Sequence, residues 1–182
     1  MAQASSSRIR GTRNRPSYAS GAPDSASSGD NLVVMKFGGT SVADTAKITE
    51  VARRLVRARE EGQRVVGVLS AMGDTTDELI RLAHEISARP HPREYDMLIS
   101  VGERISNALC AMAVHDLGHE AISLTGSQAG IVTDTVHGKA KIAEVRATRI
   151  NDALDAGKIV LVAGFQGVSA DSHDVTTLGR GG

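Results

Sequence analysis

The sequence predicts an α/β fold with a mainly parallel sheet, on three observations. From Asn31 onward, short apolar β-branched runs alternate with stretches of helical periodicity. The first two runs are separated by one helix-length segment, the connection that parallel neighbours need. Both of those runs end in glycine or hydroxyl residues, as strands do where they leave a sheet for a turn.

The elements follow in order. "NLVVMKF" (31–37) reads as the first strand and "RVVGVLS" (64–70) as the second, both short and β-branched enough to be buried on both faces. Between them Ile48, Val51, Ala52 and Leu55 recur at helical spacing, leaving Arg53, Arg54, Arg57 and Glu60 for water. Leu79, Leu82, Ala83 and Ile86 mark a second helix. Leu98, Val101, Ile105, Leu109 and Met112 mark the apolar stripe of a longer one closing near Gly118. "EAISLTG" and "KIVLVAGFQG" are further strands, with "RATRINDALDAG" as the helix before the latter. Residues 32–182 contain no sequence repeat and no long linker.

Residues 1–30 differ in kind. They are rich in Ser, Gly, Arg and Ala, contain no acid before Asp24, and have Ile9 as the one large aliphatic residue after Met1. Such a segment buries too little to offset ordering, so it is expected to be a flexible extension or an overlong start. A transit peptide is the alternative reading of a Ser/Arg-rich leader, though the amphipathic apolar face is missing, and the apolar core of a secretory signal is absent.

Composition excludes several classes of function. With 21 basic and 21 acidic residues the chain has no net field to gather nucleic acid or an anionic membrane. Its aromatics are Tyr18, Tyr95, Phe37 and Phe165, too few for base stacking. The single cysteine, Cys110, rules out an intrachain disulfide. No uninterrupted apolar run approaches the ~18 residues of a membrane span. His115 and His119 are four apart, but Gly118 between them ends the helix and no third ligand is evident, so a metal site built from protein histidines is not expected.

Two strand ends carry chemistry. In "VVMKFGGTS" (33–41) Lys36 stands at the end of a buried run and two glycines follow, where the backbone can approach a ligand closely. Ser41 with Asp44 three residues on resembles a capping box, so the loop is expected to end in a helix N-terminus whose free N–H groups suit phosphate oxygens. It is no Walker loop, because the lysine precedes the glycines. Taken alone, the pattern fits a tight turn with a surface lysine equally well. In "VLSAMGDTTDEL" (68–79) a second strand ends in Ser70, Thr75 and Thr76 before a helix that Thr75 and Glu78 are placed to cap. Parallel strands open both loops at one sheet edge, around one cleft. In "SVGERISNAL" (100–109), Gly102 costs a helix about 1 kcal/mol relative to alanine, a cost often accepted for close packing or ligand approach, while Glu103 and Arg104 beside it are, as a lone pair on a helix, usually a solvated face.

Together "VMKFGGTSVAD", "VLSAMGDTTDEL", "GERISNAL", "TGSQAGI" and "VAGFQGV…DVTTLGRGG" resemble the aspartokinase family of the amino-acid kinase superfamily, with the five motifs in the family's order across residues 32–182. The resemblance implies a three-layer αβα sandwich with a mainly parallel sheet, and phosphorylation of the side-chain carboxylate of L-aspartate by ATP with Mg²⁺, toward lysine, threonine and methionine. It implies that Lys36 contacts the transferring phosphoryl group while Phe37, Gly38, Gly39 and Thr40 shape the phosphate loop. Ser70, Thr76, Glu103 and Arg180 would form the aspartate site, with Glu103 suited to the ammonium and Arg180 to a carboxylate. A homo-oligomer in the complete enzyme is implied too, in the cytoplasm, or in a plastid if the leader is a transit peptide.

In the family, "GRGG" is followed by Ser-Asp, by the elements that hold the nucleotide base and by regulatory domains, whereas this chain ends at Gly182. The expectation is a partial kinase domain, residues 31–182, holding the acceptor-binding half and inactive by itself. The alternatives are a kinase-derived binding module without turnover, and a kinase for another small carboxylate.

Overall fold

A computed structural model describes residues 31–179. The leader, Arg180 and the final glycines lie outside them, as do the expectations placed there.

The first strand, β1 (Leu32–Phe37), ends in a 3-10 turn (Gly39–Val42) that leads to α1 (Thr45–Glu60) and back to β2 (Arg64–Leu69). Three helices follow: α2 (Thr75–Ile86), α3 (Pro92–Ile99) and α4 (Val101–Asp116). The remainder is β3 (Ala121–Leu124), β4 (Ile131–Thr133), β5 (Ile142–Val145), α5 (Thr148–Asp155), β6 (Ile159–Ala163), β7 (Gln166–Ser169) and β8 (Val175–Thr177). The main sheet has the order β1-β2-β6-β3 with every pairing parallel, and a smaller mixed sheet has the order β5-β4-β7-β8.

Strand alternation divides the core in two, the three-layer arrangement the sequence implied. Val65, Leu69, Ile159 and Leu161 face α1 and α4, packing with Ile48, Leu55, Cys110 and Val114. Val66, Val160 and Val162 face the other way, onto Ala153 and Leu154 of α5. Phe37, Leu69 and Ala163 are level at the C-terminal ends of three adjacent strands, so the loops leaving them share one edge.

Several expectations change. β1 is buried on one face only: Leu32 is 46% and Val34 61% exposed, because the core under α5 is built from β2, β6 and β3 and does not reach them. The predicted long helix breaks at Ser100 into α3 and α4, and its apolar stripe faces outward, with Ile105 43% and Met112 60% exposed. The buried face of α4 is instead Gly102, Glu103, Ser106, Asn107, Cys110, Ala111 and Val114. Close approach to the β2–α2 loop selects small residues there, where Ser106 Oγ donates to Ser70 O at 2.7 Å and Asn107 Nδ2 to Glu103 O at 2.7 Å. An 18-residue window within residues 92–116 also reaches the mean hydropathy (1.3) of a membrane span, yet half of that window is buried against the rest of the protein. "KIVLVAGFQG" holds two strands, β6 and β7, joined by a turn at Gly164-Phe165.

Candidate active site

The site is a cavity of about 310 Å³ at the C-terminal edge of the main sheet. Lys36, Phe37, Gly38 and Gly39 supply one wall, Ser70 and Thr76 another, and Glu103 closes the side nearest α4. These seven residues were all expected at the site. Thr40 is exposed beside the cavity without lining it, and its carbonyl accepts from Lys47 Nζ at 3.0 Å.

The glycine-rich loop after β1 is built differently from the predicted capping box. Ser41 N–H donates to Gly38 O at 2.8 Å, closing the 3-10 turn, and α1 starts at Thr45 with Asp44 as its cap, accepting from Lys47 N–H at 2.8 Å. Asp44 reaches the N3 amide itself, so Ser41 is left outside the helix. The helix N-terminus therefore begins four residues beyond Ser41, and the turn between carries the amides nearest Gly38. Likewise α2 begins at Thr75 after Asp74 with no side-chain cap, which leaves Thr76 on the cavity wall. Strand alternation puts Phe37 into the core, under the Arg54 guanidinium at 5.8 Å from its ring centre, and Lys36 on the opposite, exposed face. Gly39 sits where the two loops meet: a Cβ there would stand 3.3 Å from Ala71 O, so any larger residue would push the loops apart by a few tenths of an ångström.

Glu103 is the electrostatic feature of the site. It is 4% exposed, and its Oε2 accepts the Phe165 N–H at 3.0 Å. Burial pushes its carboxyl from 4.5 up to about 7, against opposing pulls from the Phe165 amide, the Gln166 side chain and the charge of Lys36. Gln166, itself buried, donates from Nε2 to Ser100 O at 2.8 Å, fixing the β6–β7 turn against the α3–α4 junction.

The sequence reading missed Asp77, Gly164 and Phe165, which also line the cavity. The signal for the last two was present in "VAGFQG", where a Gly-Phe break interrupts a buried run at the level of the other strand ends. Among the described residues no group of three or more His, Cys, Asp or Glu is placed to hold a metal ion.

Residues 31–182 match the Amino acid kinase family. The aspartokinase of Mycolicibacterium smegmatis is 62% identical over 151 residues, 83% of this chain and 36% of that protein. Among solved structures, the aspartate kinase of Synechocystis superposes with TM-score 0.69 at 44% identity, over 83% of this chain and 24% of that one. Aspartokinase III of E. coli, in complex with aspartate and ADP, gives TM-score 0.72 at 25% identity, over 83% of this chain and 44% of that one. The chain thus spans about a third of the length of its curated relatives.

Proposed function

The chain belongs to the amino acid kinase family, and from that premise we propose that it is the amino-acid-binding part of an aspartate kinase, which transfers the γ-phosphoryl group of ATP to the side-chain carboxylate of L-aspartate. One observation carries the reading: a cavity that sets a lysine and a glycine-rich turn opposite a buried glutamate that titrates near neutrality. The relatives named aspartokinase, and the one solved with aspartate and ADP, support it.

The chemistry asks little of the protein beyond placement. An aspartate carboxylate is ionised at neutral pH and needs no general base, so its oxygen forms a bond to the γ-phosphorus while the bond to the β,γ-bridging oxygen breaks and ADP leaves. Lys36 and the amides of the 3-10 turn neutralise charge on the transferring group. Glu103, once ionised, receives the substrate ammonium, while Ser70, Thr76 and Arg180 take its carboxylates. Mg²⁺, bound with the nucleotide, would supply neutralisation of the phosphate charge. Cytoplasmic location and homo-oligomeric assembly belong to the same proposal.

The test is aspartate-dependent ADP release by the full-length protein with and without Lys36→Met. Lys36 is exposed, so the variant should fold. The expected result is a loss on the order of 10²–10³-fold in turnover, as for removal of a charge-stabilising donor. Near-normal turnover by a folded variant would overturn the role of Lys36, and failure of the wild type to bind L-aspartate would overturn the substrate.

A further inference from the structure

A second buried acid lies outside the cavity. Asp96, on α3, has no exposed surface, and its carboxylate gathers four donors: His137 Nδ1–H at 2.8 Å, Gly138 N–H at 3.0 and 3.1 Å to the two oxygens, Thr177 N–H at 3.2 Å and Thr177 Oγ1–H at 2.7 Å. Four donors match the acceptor capacity of an ionised carboxylate. A neutral amide in its place would offer one oxygen and turn an NH₂ toward groups that are themselves donors. Burying an anion this completely is costly unless it is fully partnered, so the site is specific for Asp.

The contacts lead to the cavity. Through Thr177, Asp96 fixes β8, and one turn earlier on α3 Arg93 Nε donates to Asp174 Oδ1 at 2.6 Å, so the helix grips the strand at both ends. Leu178 N–H then donates to Phe165 O at 2.9 Å, and Phe165 N–H is the donor that Glu103 accepts. On the other side Thr177 O accepts Ala140 N–H at 2.9 Å, which ties the β4–β5 loop to the same strand. Hydrogen bonds joined by the Thr177–Leu178 peptide and by the Phe165 backbone therefore connect Asp96 through β8 to Glu103.

We propose that Asp96 is a positioning residue for the amino-acid end of the cavity: by holding β8 it sets the Phe165 amide on Glu103. This rests on the aspartate-binding reading above. Asp96 does not line the cavity, so its effect on affinity for the amino acid runs through β8 and the Phe165 amide.

The experiment titrates L-aspartate calorimetrically into the full chain, with amide exchange and thermal melting measured in parallel, for the wild type, Asp96→Asn, Thr177→Val and Leu154→Ala. The last variant lowers stability from the opposite face of the sheet, under α5, and controls for destabilisation alone. The expected result is at least tenfold weaker aspartate binding and faster exchange at Phe165 for Asp96→Asn, a loss of threefold or more for Thr177→Val, and less than twofold for Leu154→Ala at a comparable fall in Tm. If Asp96→Asn does not fold, Thr177→Val decides. Affinity within twofold of wild type in the folded hub variants would overturn the positioning role while leaving the substrate reading intact. No binding by the wild type would overturn that reading and this proposal with it.

Discussion

A Cβ added to Gly102 would stand 2.8 Å from the Cβ of Ala71 and 3.5 Å from Thr75 Cγ2, so helix α4 touches the β2–α2 loop at a distance only glycine permits. The same contact brings Glu103 to the cavity. Gly102→Ala sets two effects against each other: about 1 kcal/mol gained in helix propensity, and overpacking that costs about 1–3 kcal/mol. Because Ala71 is itself buried and backed by the loop, overpacking wins. The expected outcome is a lower Tm together with weaker L-aspartate binding. A variant as stable as wild type with unchanged affinity would show that the loop gives way freely.

Glu103 makes stability and binding depend on pH in opposite senses. Its folded carboxyl titrates at about 7, whereas in the unfolded chain it lies near 4.5. Between these values the folded state keeps a proton that the unfolded chain has released. The stabilisation is therefore complete below about pH 4.5 and is lost as pH rises through about 7, by on the order of 3 kcal/mol. Glu103→Gln should flatten that slope in urea titrations between pH 5 and 8. Affinity for L-aspartate should rise about tenfold per pH unit below 7 and level off above it, because the substrate ammonium needs the carboxylate ionised. A flat affinity profile from pH 5.5 to 8 would remove Glu103 from the ammonium site.

Cys110 lies fully buried between α4 and the sheet, and burial pushes its thiol up to about 12. Thiolate is then scarce at pH 8, so labelling by a disulfide reagent must wait for the helix to open. The folded chain should react at least a hundredfold more slowly than the urea-unfolded chain. Comparable rates would mean that α4 detaches readily.

Strand β1 ends the main sheet among the described residues and shows Leu32 and Val34 on an uncovered face. An edge strand with exposed aliphatic residues pairs or sticks. Val34→Lys should cut self-association in light scattering while shifting stability by less than about 0.5 kcal/mol, as exposed substitutions do. Unchanged association would direct attention to the apolar outer face of α4.

Lys36 and Ser70 were legible as strand ends marked by period-2 burial and glycine or hydroxyl punctuation, whereas Thr76 and Glu103, on α2 and α4, were expected at the site from the motif resemblance; all four line one cavity. The small sheet was not. β4, β5 and β8 are three or four residues long, and β5 is exposed along its whole length, so no alternation distinguishes it from a loop. The outward stripe of α4 misled for a physical reason: contact with the cavity loops demanded small and polar residues on the buried face, which reversed the usual hydrophobic pattern. Asp96 was silent in the sequence because its donors come from residues about 40 and 80 positions away.

The strand order has a temporal consequence. β6 sits between β2 and β3 although it is made after both, so β2 must wait about 90 residues of synthesis before its second neighbour exists. At roughly 5–20 residues per second that is a delay of about 5–20 seconds on the ribosome, during which β2 can pair with β1 on one side while its other edge, around Val66, stays open. The nascent chain is thus most exposed to misassociation before Ile159 emerges, and a chaperone that shields extended apolar segments has its greatest effect in that interval.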